Sequence, residues 1–99
     1  MKKLIFKHSY RCSVSVFAKA AVDKFLSNFN GEIDFTLIDV IKEREKSNGV
    51  AEKYKITHQS PQVIIIDDEN KVIWSGSHSE VTEINLIKST SRVFSCQAS

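Results

Sequence analysis

Leu4, Ile5 and Phe6 stand together between Lys3 and Lys7 with little alternation of apolar and polar character. A strand with one wet face shows a period of two, whereas an unbroken apolar run marks a strand covered on both faces. Lys3 to Lys7 is therefore read as a central strand, which requires layers on either side of it. At Cys12 the texture changes. From Ser13 onward Phe17, Ala20, Ala21, Phe25 and Phe29 recur every three to four positions, with Lys19, Asp23 and Lys24 between them. That is the period of an amphipathic helix, which Asn30 and Gly31 end.

Residues Ile33 to Val40 are rich in β-branched and aromatic types and read as a second strand, parallel to the first because a helix connects them. The charged stretch "KEREKSNG" reads as a solvated loop running into a short second helix. Val50, Ala51 and Tyr54 give that helix an apolar face up to about Lys55, and Ser47 is placed to cap its start. Pro61, the only proline, then opens "QVIIIDDENKVIWSG": two apolar runs around a charged turn at Asp67 to Asn70, which is a β-hairpin. Ser77 and Glu80 have the Ser-x-x-Glu spacing of a capping box ahead of Val81, Ile84, Leu86 and Ile87, so a third helix closes the chain. The order β-α-β-α-β-β-α predicts an α/β fold, a four-stranded mixed sheet flanked by helices in a single domain over 1–99.

Composition excludes several function classes. Fourteen Lys plus Arg against twelve Asp plus Glu give a net charge of +2 spread along the chain, so no basic stripe for nucleic acid is expected. Lys7, His8 and Arg11 interrupt "MKKLIF" before it reaches the ~7 to 15 apolar residues of a signal h-region. No run approaches the ~20 residues that cross a bilayer. A cytoplasmic protein without a membrane partner is expected, with its two cysteines, Cys12 and Cys96, reduced at rest. His8, His58 and His78 lack metal-ligand spacing, so no metal is expected.

Chemistry concentrates at Cys12. A thiol attacks as thiolate, and its pKa must fall from ~8.5 to be useful near neutrality. A helix N-terminus contributes ~0.3 to 1 kcal/mol toward that, a pKa unit or less. Arg11 and the strand-end Lys7 or His8 are further cations within reach, and Ser15, one helical turn on, can donate its hydroxyl to the sulfur. The turn after the first strand of a βαβ unit is also where reactive groups are presented. Ser60-Pro61, opening a strand, adds an X-Pro bond that invites the cis form. From the residues alone Cys12 is either a nucleophile lacking its partner cysteine or a small buried hydrophobe.

A strand, a Cys-x-x-Cys/Ser at a helix start and, about fifty residues on, an X-Pro that opens an antiparallel hairpin form the thioredoxin-fold arrangement. Within that superfamily "KHSYRCSVS", "VAEKYKITHQSPQVIII" and "VIWSGSHSEVT" closely resemble the monothiol bacilliredoxin family, redox proteins of the bacillithiol system. The resemblance implies that Cys12 is the redox cysteine and that Ser15 stands where a dithiol relative has its resolving cysteine. It implies that Pro61 is a cis-proline near the sulfur and that Ser60 offers main-chain groups to a substrate's extended chain. The usual family motif is Thr-Cys-Pro-Ile-Ser. Here Arg11-Cys12-Ser13-Val14-Ser15 loses the rigid helix start and gains a cation beside the sulfur.

The implied activity is monothiol thiol-disulfide exchange with S-thiolated proteins, with bacillithiol as co-substrate, no bound cofactor, and a monomeric enzyme. By analogy with glutaredoxins the Gly76-Ser77 loop is a candidate seat for the acidic arm of the small thiol, and Lys7 and Arg11 are candidate contacts to its carboxylates. Each has a plainer reading, a capping loop and solvated strand-end charges. Cys96 is either an idle terminal thiol or a resolving cysteine that swings in. The alternative for the whole chain is a binding or scaffold module with an inert thiol.

Overall fold

The structure, a computed structural model, describes residues 2–11 and 13–98, with side chains as far as Thr90. Strand β1 (Lys2–His8) leads into helix α1 (Ser13–Asn28), then β2 (Ile33–Asp39), α2 (Arg44–Tyr54), β3 (Gln62–Ile66), β4 (Val72–Ser77), a 3-10 turn (His78–Glu80) and α3 (Glu83–Ala98). The sheet order is β2-β1-β3-β4. β1 runs parallel to β2 and antiparallel to β3, and β3 runs antiparallel to β4, so the expected four-stranded mixed sheet is present.

The two unbroken apolar strands occupy the middle, as their texture requires. Leu4 and Phe6 of β1, with Val63 and Ile65 of β3, face α1 and α3 and pack on Ala18, Val22, Phe25 and Leu86. The alternate side chains, Ile5, Ile64 and Ile66 with Ile38 of β2, face α2 and meet Val50, Tyr54 and Ile56. Burial on both sides explains why neither strand alternates. At the hairpin, Asp67 Oδ1 accepts from the N–H groups of Glu69 and Lys71, both at 2.9 Å, while Asn70 takes a φ of 65°. Among the described residues no helix is long and apolar enough to cross a membrane.

Two helix starts differ from the sequence reading. α2 begins at Arg44, so "REKS" is helical rather than loop, and Ser47 lies inside the helix, buried, instead of capping it. High-propensity Glu and Lys support that first turn although they show no apolar face. Ser77 and Glu80 do pair, with the Ser77 N–H donating to Glu80 Oε1 at 2.9 Å, but they close the 3-10 turn. The start of α3 is set two residues after Glu80, where Thr82 Oγ1 accepts from the Asn85 N–H at 3.1 Å. A capping box needs only four residues, so it serves a single turn as well as a long helix.

Gly76 is fixed by its neighbour two residues back. A Cβ there would lie 2.6 Å from Trp74 Cζ2 and nearer still to Cη2, so the indole occupies the space a side chain would need. Gly76→Ala is expected to destabilise the fold by about 1 to 3 kcal/mol, the usual cost of overpacking. A urea midpoint equal to the wild-type value would refute that reading of Trp74.

Candidate functional site

The carboxyl ends of β1 and β2 lie on one edge of the sheet, tied by the Val40 N–H donating to the His8 carbonyl at 3.0 Å. Two serines organise the loop between β1 and α1. The Ser9 N–H donates to Ser15 Oγ at 3.3 Å, and Ser9 Oγ accepts the Arg11 N–H at 3.4 Å. Ser15 is fully buried, so its oxygen is committed to holding the loop, and its hydroxyl proton has no acceptor among the described residues. Cys12, the expected nucleophile, lies outside the described residues. Cys96 belongs to α3, and its side chain lies outside the described set as well.

Register brings the second half of the site alongside. Lys7 pairs with Gln62, the residue after Pro61, so the end of β1 sits beside the Ser60-Pro61 bond, which is cis. The Pro61 carbonyl accepts the His78 N–H at 2.9 Å. Neither main-chain polar group of Ser60 has a hydrogen-bond partner among the described residues, and its buried Oγ has none either. Gly76 and Ser77 reach this edge through the Gln62–Ser77 pairing. The N–H donors there already have partners, since Ser77 gives its proton to Glu80 and His78 to Pro61.

Lys7 departs from its expected place. It is not a solvated strand-end charge: its exposure is 0 %, and its Nζ lies 3.2 Å from His58 Nδ1. Strand parity decides this, because Lys7 follows Ile5 onto the α2 side. Ser47 Oγ reaches the same nitrogen at 3.2 Å. A protonated lysine can only donate, so with Lys7 charged His58 Nδ1 is the acceptor and the ring proton belongs on Nε2. Burial lowers the Lys7 pKa, and burial with the charges of Lys7 and Arg44 lowers that of His58. Gln62 Nε2 donates to the Thr57 carbonyl at 3.1 Å, which ties the same loop to β3.

His8 is no cation near neutral pH. It is 1 % exposed, edge-on to Tyr10 at 4.3 Å, and neither ring nitrogen has a hydrogen-bond partner among the described residues. Burial and, to a lesser degree, the Lys19 charge push its pKa down against the opposing pull of Asp39 and Asp23. Arg11 is exposed and shares a shallow cavity with Tyr10, Asp39 and Lys42. The Asp39 carboxylate is held below its ordinary range by the main-chain N–H groups of Lys42 and Ile41, and it shapes the loop after β2.

This arrangement, a loop between a parallel strand and a helix facing an X-Pro bond at the head of an antiparallel hairpin, can be matched to known proteins. A family model described as monothiol bacilliredoxin BrxC matches residues 1–86. The chain belongs to the monothiol bacilliredoxin family. A solved structure of a thioredoxin-fold protein, provisionally called an oxidoreductase, superposes with a TM-score of 0.82 at 26% identity, covering 90% of this chain and 77% of that one. Thioredoxin 1 from Thermosipho africanus gives a TM-score of 0.70 at 22% identity, covering 98% and 99%. A thioredoxin from Fasciola hepatica gives 0.69 at 21% identity, covering 92% and 79%. The bacilliredoxin chain thus has the thioredoxin-like fold, and its family makes it a thiol-redox protein.

Sequence reasoning missed His58, Ser47, Arg44 and Ser9. A signal for the first was present: a lysine at the end of "LIFK", in a strand buried on both faces, needs a polar partner. His58 stands three residues before the proline whose neighbour, Gln62, lies in register with Lys7.

Two outcomes follow for stability. His8 and His58 both have folded pKa values below the unfolded ~6.5, so the unfolded chain binds protons first and stability falls as pH drops below that value. The urea midpoint should decrease between pH 7 and pH 5, and His8→Phe should flatten the slope; an unchanged slope in the variant would contradict the burial of a neutral His8. Lys7→Met removes a buried cation while Ser47 still serves His58, so it should raise stability by about 1 kcal/mol or more. Equilibrium unfolding that shows a loss would count against the geometry assigned to Lys7.

Proposed function

We propose that this bacilliredoxin is a monothiol thiol-disulfide oxidoreductase that removes or transfers bacillithiol on protein cysteines through Cys12. Ser15 is the observation that supports the reading best. It is buried, and its oxygen is engaged by the Ser9 N–H, at the place where a dithiol relative carries a second cysteine. A Cys12 thiolate attacks the bacillithiol sulfur of the modified protein's disulfide and expels the protein thiolate, which takes up a proton. A second bacillithiol thiolate then attacks the sulfur held on Cys12. The products are oxidised bacillithiol and free Cys12, so the two electrons that reduce the protein come from two small thiols.

Ser60 supports substrate capture, because its N–H and C=O have no internal partners among the described residues and suit an extended peptide. Pro61 follows through a cis bond with its ring buried, and Arg11 is the exposed cation of the loop that carries Cys12. Gly76 gives room to Trp74, and Ser77 carries the self-capped turn beside them. The setting is a reducing cytoplasm with the protein as a monomer and S-thiolated proteins as partners. Cys96 serves as an alternative resolving thiol only if an intramolecular bridge to Cys12 forms.

The test is adduct transfer followed by intact mass. Incubated with a bacillithiolated protein, the wild type should acquire the bacillithiol mass and free the substrate thiol, and Cys12→Ala should do neither. Absence of transfer in the wild type leaves the inert scaffold standing instead.

A further inference from the structure

Between the first turns of α2 and the loop that leads to Pro61 lies a cavity of about 320 Å³, lined by Val40, Ile41, Arg44, Ser47, Asn48 and His58. That volume is at the lower end for small-molecule sites. It opens at the same carboxyl edge of β1 and β2 as the loop that carries Cys12, since Val40 is bonded to His8. Its rim holds the exposed Arg44, Asn48 and His58, and its floor holds the buried Ser47. Behind the floor, Lys7 is held against the same His58 nitrogen.

The charge balance of this cavity is one-sided. Neither Lys7 nor Arg44 has a carboxylate within ion-pairing distance among the described residues. Of the neighbouring acids, Glu43 accepts the Asp39 N–H through Oε1 and faces Lys46 at 3.7 Å through Oε2. Asp39 accepts the N–H groups of Ile41 and Lys42. The depressed His58 pKa has Lys7 and Arg44 among its causes, as a positive field demands. A buried cation without a counter-ion is costly, and an incoming anion removes that cost. Arg44 offers a guanidinium fork, Asn48 an amide, and His58 its Nε2–H, all suited to carboxylate oxygens.

We propose that the cavity bounded by Arg44, Ser47, Asn48 and His58, backed by Lys7, is an anion subsite that seats the carboxylate end of the low-molecular-weight thiol. This rests on the reading that Cys12 exchanges with such a thiol. It moves the acidic arm away from the Gly76-Ser77 loop, where Glu80 of the chain itself already occupies the Ser77 N–H. Arg44 and His58 then hold the acid, and the thiol end is left free to exchange.

The experiment uses the full chain in a Cys96→Ser background, with Cys12 capped as a methyl disulfide by methyl methanethiosulfonate. Release of the free thiol by mercaptosuccinate, a dicarboxylate, and by neutral 2-mercaptoethanol is timed by intact mass, with each rate corrected for its thiolate fraction. Arg44→Glu, an exposed position that leaves the core untouched, should lower the ratio of the two rate constants about ten-fold, the size of one partly exposed charge pairing turned into repulsion. A ratio equal to that of the parent overturns the subsite. In parallel, succinate is titrated into the uncapped protein while the His58 ring resonances are followed by NMR. Shifts that saturate in the parent and vanish in Arg44→Glu support the cavity, and no shift in the parent overturns it. If neither thiol reacts while His58 still responds to succinate, the exchange reading of Cys12 fails and the anion site alone survives.

Discussion

The pairing of β1 with β3 is the interaction on which the rest depends. Because β1 lies between a parallel and an antiparallel neighbour, its carboxyl end meets the end of β2 on one side and the head of β3 on the other. The loop that carries Cys12 leaves from that end, and Pro61 immediately precedes the residue paired with Lys7. A slip of one residue in this register would turn Lys7 toward α1 and Phe6 toward α2, exchanging the two layers of the core. Lys7 opposes that: turned over, it would leave His58 and enter the layer filled by Leu4, Phe6, Val63 and Ile65.

Much of this was legible in the chain. Unbroken apolar strands, one amphipathic helix and a proline-headed hairpin gave the element order, and three quoted blocks gave the family that the match over residues 1–86 establishes. What escaped was set by contacts between distant segments. Ser47 looks like a cap because caps are read locally, yet its hydroxyl is engaged by His58, eleven residues on. Lys7 looks like a solvated end charge because lysines usually are, yet strand parity buries it. The capping box at Ser77 was legible as chemistry but not as length, since nothing in four residues says whether one turn or four will follow. Cys12 and the side chain of Cys96 fall outside the described residues, and the roles given to them stand as proposals.

The polar group formed by Lys7, His58 and Ser47 joins three elements, β1, α2 and the loop before Pro61, at a point where hydrophobic side chains would pack as well. Such a group does not help the chain fold. It lies one residue from the end of β1 and three from Pro61, and it ties that strand end to the loop before the proline through one imidazole nitrogen.

The indole of Trp74, lodged over Gly76, has a separate consequence. It is the only tryptophan in the chain, and it sits on β4 one residue before the segment that pairs with the head of β3. The molecule therefore carries a native fluorophore on its edge strand, packed against the core layer under α1 and α3. Its emission reports the packing of that layer as the chain unfolds, without any label.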